Sequence, residues 1–425
     1  MSQTPGKDAS FCHLYEPIEA VEKLESYRVG GYHPIAIGDQ FHDRYRVVHK
    51  LGHGTYSTVW LAQDRKFNRY VAVKVCTADS NPREPDVLSE LSSPQQSQGT
   101  SPGRAVIPSQ QTQGISLRKG DDSFARMSLS EAKDESYNRL FQLEVARALV
   151  AQLVIAVEYV HSQGFVHGDL HYGNVLLRLP YNLDPLTIEE LYQKCGEPQA
   201  EAIRRFDGKP LPLTIPSHAV IPIWFGEASD KLSLPEAKIL LGDFGEAFSP
   251  TKQQIYESHT PLINRPPEVR FEPHKSISFP SDVWSLGCAI WNIIAQSPLF
   301  DQYIISEDDL TCEQVEALGI LPPEWWCQWE GRHGRFTEDG KPINRKSYRS
   351  WEDRFEDSVQ GPRQEEGMPP IEPAERDAIF SMLRSMLVFR PESRPTARQI
   401  LDSEWMVKWA LPEFEKCRLA GQRNG

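Results

Sequence analysis

His167-Gly168-Asp169-Leu170-His171-Tyr172-Gly173-Asn174, followed far downstream by Asp243-Phe244-Gly245, is the pair of segments on which the reading of this chain turns. Together they offer a carboxylate, an amide a short way on, and a second carboxylate that opens a glycine turn. Phosphoryl transfer needs one group to accept a hydroxyl proton and oxygen ligands for a divalent cation. The apolar runs Val175-Leu176-Leu177 and Ile239-Leu240-Leu241 flank the two pieces. Both segments are therefore expected at the ends of short buried strands, where a rigid scaffold positions them. His167, Asp169 and His171 also alternate as transition-metal ligands can. Asn174 and Asp243 complete a magnesium set instead, which leaves His167 as a structural histidine beneath the loop.

The upstream sequence supplies a second anion site. Leu51-Gly52-His53-Gly54-Thr55-Tyr56-Ser57-Thr58-Val59 lies between Tyr45-Arg46-Val47-Val48 and Trp60-Leu61-Ala62. Its two glycines let the backbone close over phosphates with N–H groups turned toward them. Ser57 stands where a third glycine is usual. Val71-Ala72-Val73-Lys74-Val75 then reads as a strand with one lysine among apolar residues. Such a lysine is costly to bury unpaired, so it should face phosphate and a carboxylate. Glu84 is the candidate carboxylate, although Pro85 makes a helix interior awkward there, and Glu90 stays open.

In these motifs taken together, the chain resembles a eukaryotic protein kinase. Arg265-Pro266-Pro267-Glu268 is similar to the segment that closes the activation region, with Glu268 expected to pair with Arg394. Ser281-Asp282-Val283-Trp284-Ser285-Leu286-Gly287 resembles the buried helix start whose aspartate braces the catalytic loop. Within the kinases the SR-protein kinases are most similar. That likeness rests on Gly30-Gly31-Tyr32-His33-Pro34-Ile35-Ala36-Ile37-Gly38-Asp39, on the form of the glycine loop, and on an insertion ahead of Asp243.

The resemblance implies an α+β, two-lobed protein-kinase-like fold, with a small β-rich lobe and a large, mainly helical one. It implies ATP and Mg2+ as cofactors and transfer to serine or threonine. Asp169 would be the base, Asn174 and Asp243 the metal ligands. Lys74 would grip the phosphates with Glu84 fixing it, and Leu51, Gly52, Gly54, Val59 and Ala72 would bind the nucleotide. His171 replaces the usual lysine of the loop. A histidine titrates near ~6.5 and a lysine near ~10.4, so charge neutralisation there should be weaker or pH-dependent. Gly168 replaces the arginine that pairs with a phosphorylated activation loop, so activity without that switch is expected.

Residues 1–40 read as an extended lead-in, 41–125 as the small lobe, 126–410 as the large lobe with an insertion at 180–237, and 411–425 as a tail. The polar stretch Ser92–Gly99 reads as loop. Ala105-Val106-Ile107-Pro108 and Gly114-Ile115-Ser116-Leu117 are the only candidates for the remaining small-lobe strands. Phe141, Val145, Leu149, Leu153, Val157 and Val160 keep a helical period that Gly164 should end. Ile188–Arg205 reads as a helix within the insertion, and Glu375–Phe414 as helical with one buried face. Trp325, Trp326 and Trp329 read as core. Glu307-Asp308-Asp309 reads as solvated surface, with a docking groove the lesser reading. Ser249 and Thr260 are candidate phosphosites.

Fifty-nine acidic against forty-six basic residues give a net charge of −13. That argues against direct nucleic-acid binding and suits a basic, Arg/Ser-rich protein substrate. Seven scattered cysteines without a C-x-x-C pair fit reduced thiols. No signal-like or membrane-spanning run is read, so an intracellular monomer in cytoplasm or nucleus is expected. Two alternatives stand beside the protein kinase. One is a pseudokinase scaffold, suggested by the thin stretch 92–125, Ser57 and His171. The other is a small-molecule phosphotransferase, whose loop has the same His-Gly-Asp-Leu-His form.

Overall fold

The structure is a computed structural model and describes residues 14–80, 83–92, 102–108, 124–300, 306–343 and 349–423. In chain order the strands are β1 (Gln40–Phe41), β2 (Tyr45–Gly54), β3 (Ser57–Asp64), β4 (Arg69–Cys76), β5 (Ala125–Ser128), β6 (Val175–Arg178), β7 (Ala200–Ala202), β8 (His218–Val220) and β9 (Ile239–Leu241). The helices used below are α1 (Glu84–Ser92), α2 (Leu129–Asp134), α3 (Leu143–Ser162), α4 (Ile188–Cys195), α5 (Glu268–Phe271), α6 (Phe279–Ile294) and α7 (Glu307–Leu318). The chain clusters into two compact units, one holding residues 14–80 and 181–224 and the other the remaining described residues.

The first unit is built on the antiparallel sheet β1-β2-β3-β4. Only β4 alternates, with Val71 and Val73 buried and Ala72 and Lys74 half-buried between and after them, whereas β2 and β3 carry runs of consecutive buried residues. Val71, Val73 and Trp60 are buried, and Trp60 lies directly across from Val73. Ile35 of the lead-in and Val220 of the insertion pack on the sheet with Val47 and Trp60, and a second cluster joins Tyr15, Leu24, Tyr27 and Tyr32 from the lead-in to Ile203, Ile215 and Ala219 from the insertion. The insertion also forms the hairpin β7-β8, and its Asp184 accepts the Tyr70 amide at 2.7 Å. The lead-in and most of the insertion therefore belong to this packed unit, a different partition from the linear boundaries at 40, 125, 180 and 237.

The second unit is mainly helical, with its core on α3. Val145, Leu149, Leu153, Val157 and Val160 are all buried along it, and Gly164 leaves the helix at φ +83°. An interior Gly or Pro would break so long an apolar helix, and α3 has neither. It packs against α6 and the C-terminal helix Leu411–Arg423. The small antiparallel sheet β5-β6-β9 lies beside them, with Val175 paired to Leu241. Trp325, Trp326 and Trp329 are buried, Trp326 edge-on to Trp329.

Several local expectations are corrected. Arg104–Val106 is a 3-10 turn and not a strand, while 114–117 falls outside the described residues. The insertion helix stops at Cys195, because Gly196 adopts φ +90° and Pro198 follows at once. Glu375–Phe414 is divided among the α-helices Pro373–Met386, Ala397–Leu401 and Leu411–Arg423, with the 3-10 turn Pro391–Ser393 and the π-helical turn Met406–Ala410 between them. The acids of 307–309 are working members of α7's first turn: Ser306 caps the Asp309 amide, and Asp308 accepts from Arg270 at 2.5 Å and Trp329 at 2.8 Å.

Candidate active site

The catalytic-loop segment connects α3 to β6, and Asp243 follows β9. Because β6 and β9 are adjacent strands, the Gly242 amide donates to the Asn174 carbonyl at 2.8 Å. Asn174 and Asp243 are thereby brought to neighbouring strand ends. Asn174 Nδ2 donates to the Asp169 carbonyl at 2.9 Å and to Asp169 Oδ2 at 3.2 Å. With its nitrogen so used, the ligand Asn174 can offer a cation is its amide oxygen. Asp169 Oδ1 is buried with no hydrogen-bond partner. An orphaned buried acceptor is unfavourable by about 1–3 kcal/mol, and a substrate hydroxyl would satisfy it.

Two groups hold this loop in place. His167 Nδ1 accepts the Asp169 amide at 3.3 Å, so Nε2 carries the proton that it gives to the Gly242 carbonyl at 3.0 Å. Both ring nitrogens are thus committed to backbone, and the metal reading of His167 falls away. Beneath it Asp282, at the start of α6, accepts the His167 amide at 2.7 Å, the Gly168 amide at 3.0 Å and His161 Nε2 at 2.9 Å. Burial alone would raise the Asp282 carboxyl. The His161 hydrogen bond, the nearby imidazoles and the His167 amide overcome it and hold the group below the ordinary aspartate value.

His171 turns its Nδ1 to accept the Gly173 amide at 3.2 Å, which places Nε2 3.8 Å from Asp169 Oδ2. Gly168 sits at φ +79°, and a Cβ there would lie 2.6 Å from the Glu246 carbonyl, so no side chain is accommodated. Thr260 is buried and donates its hydroxyl to the Gly168 carbonyl at 3.1 Å. Asp243 has a left-handed backbone at φ +55°, a strain that marks functional turns. Glu84 begins α1 and accepts the Phe244 amide at 3.3 Å. Pro85 is thus in the first helical turn, where a missing N–H is harmless. Glu90 is exposed and paired with Lys252 at 2.9 Å. Glu268 and Arg394 form a bidentate pair with both N–O distances 2.7 Å, and Ser281 adds a hydrogen bond.

In the other unit, sheet register assembles the second group of predicted residues. Gly52 pairs with Val59 and Val59 with Lys74, while Ala72 lies two residues along β4 from Lys74. The period of two puts Gly52, Val59, Ala72 and Lys74 on one face, and all four are partly exposed. Above Gly52 nothing lies within 4 Å of an added Cβ, which leaves room for a phosphate to approach the backbone. Leu51 sits at the bulge between Lys50 and Gly52, and Gly54 closes the hairpin opposite Ser57. Sequence reasoning missed His161 and took Thr260 only as a candidate phosphosite, since only a folded α3 and a returned activation segment bring them to the loop. It also missed Tyr32, whose hydroxyl reaches Gly54 and Thr55.

A two-unit chain with this loop, turn and buried brace is a phosphotransferase of the protein-kinase type. The chain belongs to the protein kinase family: the family model for the protein kinase domain matches residues 45–183 and 232–406. It is 26% identical to a serine/threonine protein kinase of Aspergillus fumigatus, covering 91% of this chain and 90% of that one. The serine/threonine-protein kinase SRPK of Physarum polycephalum is also 26% identical, over 92% of both chains. Human SRSF protein kinase 3 is 30% identical over 37% of this chain and 30% of its own. A crystal structure of a kinase domain superimposes with a TM-score of 0.58 at 18% identity, over 88% of this chain and 98% of that one. The chain is a serine/threonine protein kinase, similar in sequence to kinases named SRPK and SRSF protein kinase.

Proposed function

We propose that this kinase transfers the γ-phosphoryl group of ATP, with Mg2+, to serine or threonine hydroxyls in Arg/Ser-rich proteins. The observation that carries the reading is the unpartnered, buried Asp169 Oδ1 in a loop tied by Asn174 and hung from Asp282. Asp169 would orient the hydroxyl and take its proton. Asn174, through its oxygen, and Asp243 would hold Mg2+, a set of hard oxygen donors that fits that ion. Magnesium would supply charge neutralisation at the phosphates. Lys74, Leu51, Gly52, Gly54, Val59 and Ala72 would bind the nucleotide, and His171 beside Asp169 would replace the usual lysine. The net charge of −13 suits a basic substrate, and relatives named SRPK and SRSF protein kinase point the same way.

The test is phosphate transfer from ATP–Mg2+ to an Arg-Ser peptide by the wild type, Asp169→Asn and Asp243→Ala. Turnover by the wild type alone is expected, with losses of at least about a hundredfold in both variants. Binding of ATP is followed by thermal shift; at a concentration ~100 times Kd it should stabilise by about 2.7 kcal/mol. Phosphate appearing on a small alcohol and not on the peptide would make the protein a small-molecule phosphotransferase. A folded wild type that shows no shift would make it a scaffold.

A further inference from the structure

The lead-in reaches the glycine-rich loop itself. Tyr32, 7% exposed, donates its hydroxyl to the Gly54 carbonyl at 2.6 Å and stands 3.1 Å from the Thr55 carbonyl. The next carbonyl, of Tyr56, accepts the Thr77 amide at 2.8 Å. Three successive carbonyls at the tip of the β2–β3 hairpin are therefore engaged. No peptide bond is cis among the described residues. In a trans peptide the N–H points opposite to the C=O. Holding the Gly54 and Thr55 carbonyls on the Tyr32 side turns the Thr55 and Tyr56 N–H groups the other way.

Tyr32 is itself fixed. Its ring packs against Tyr27 at 5.5 Å, its amide donates to the Ser26 carbonyl at 3.0 Å, and Gly31 passes so close to Ser26 that no Cβ would fit. Tyr27 donates to Glu22, and Glu22 in turn accepts from Lys50, fully buried on β2. At the other end Arg28 pairs with Asp79 at 2.8 Å, just past β4. Burial and the nearby Glu22 charge keep the Tyr32 phenol protonated, hence a donor. The lead-in thus grips β2, the end of β4 and the hairpin tip between them.

We infer that residues 14–40 are a strap that pre-orients the tip amides of the glycine-rich loop toward the ATP phosphates, with Tyr32 as the positioning residue. This rests on reading that loop as the nucleotide's phosphate cradle. It also accounts for Ser57 at the third glycine position. A tip anchored through its carbonyls has no need of the backbone freedom a further glycine would bring.

The test compares wild type with Tyr32→Phe, which keeps the ring and removes the hydroxyl, and Tyr27→Phe, which breaks a neighbouring bond that does not touch the loop. Dissociation constants for ATP–Mg2+ and for adenosine are measured without turnover. Tyr32→Phe should weaken ATP about three- to tenfold, the range one net hydrogen bond gives, and leave adenosine within about twofold. Tyr27→Phe should leave both unchanged. In turnover, KM for ATP should rise by the same factor while KM for the peptide stays put. Unchanged ATP affinity in Tyr32→Phe overturns the inference. So does an equal loss for adenosine, or the same loss in Tyr27→Phe, since either would be general loosening. Should Tyr32→Phe not fold, wild-type hydrogen exchange decides: ATP, and not adenosine, must protect the Thr55 and Tyr56 amides. A wild type that binds ATP but phosphorylates no serine peptide defeats the proposed function, while the binding comparison still judges the strap.

Discussion

Asp282 lies outside the reacting set, yet it fixes where that set stands. One carboxylate receives two loop amides and His161, so Asp282→Asn replaces an acceptor-only group with one that must present an N–H to some donor. A loss of about 2–4 kcal/mol in urea unfolding is expected, in the range for disrupting a buried charge network. The pH dependence has a definite sign. The folded carboxyl titrates below its ordinary 3.8, so its stabilisation is intact above that value and drains away as pH falls through it toward the folded value. Urea midpoints from pH 5 to 2 should show this acid loss in the wild type, reduced in Asp282→Asn; parallel curves would remove the assigned role. Gly168 gives a second prediction. Gly168→Ala places a methyl 2.6 Å from the Glu246 carbonyl at φ +79°, and should destabilise by more than about 1 kcal/mol. With no arginine possible there and Thr260 buried against Gly168, phosphatase treatment should leave kcat within about twofold. A large rate loss on phosphatase treatment would restore a phosphate switch.

At the scale of elements, α2 and α6 meet through one lysine. Lys133 is buried at the C-terminal end of α6, donating to the Asn292 and Ala295 carbonyls, a place where helix dipole and orphan acceptors favour a cation. Burial, with Arg139 adding repulsion, nonetheless pushes its ammonium down to about 7. Between pH about 7 and 10.5 the unfolded chain then holds a proton that the folded chain has shed, so this group's contribution to stability rises with pH. Relative to Lys133→Met, the wild type should gain up to about 1.4 kcal/mol per pH unit from pH 7 toward 9 in urea titrations. A flat difference would mean the carbonyls keep the lysine charged. No sequence pattern announces Lys133, because its partners lie more than 150 residues on. The same reason separates what was legible from what was not. α3 could be read because its burial repeats locally at 3.6 residues, and the catalytic loop because its chemistry is compressed into eight residues. The half-length of α4 was foreshadowed only by Gly196 and Pro198. The 3-10 turn at 104–106 was not visible at all, since its apolar residues pack on α3 and form no ladder.

For the whole molecule, linear reading gave a lead-in at 1–40 and an insertion at 180–237 within the large lobe, whereas by contact residues 14–80 and 181–224 share one compact unit. Their apolar residues are sparse in each segment, and only together do Tyr15, Tyr27, Tyr32, Ile203 and Ile215 make a core. Net charge, in contrast, could be read at once, and it yields a prediction about substrate choice. A molecule of charge −13 attracts a basic peptide through a field that salt screens, with a Debye length of about 14 Å at 0.05 M falling to about 6 Å at 0.3 M. KM for an Arg-Ser peptide should therefore rise several-fold between 50 and 300 mM KCl, whereas KM for the same peptide with arginine replaced by alanine should change less than about twofold. Because ATP is also charged, it is held saturating at each salt concentration, so that the comparison isolates the peptide. Equal salt dependence of the two peptides would mean that the acidic balance of this chain serves solubility and plays no part in choosing its substrate.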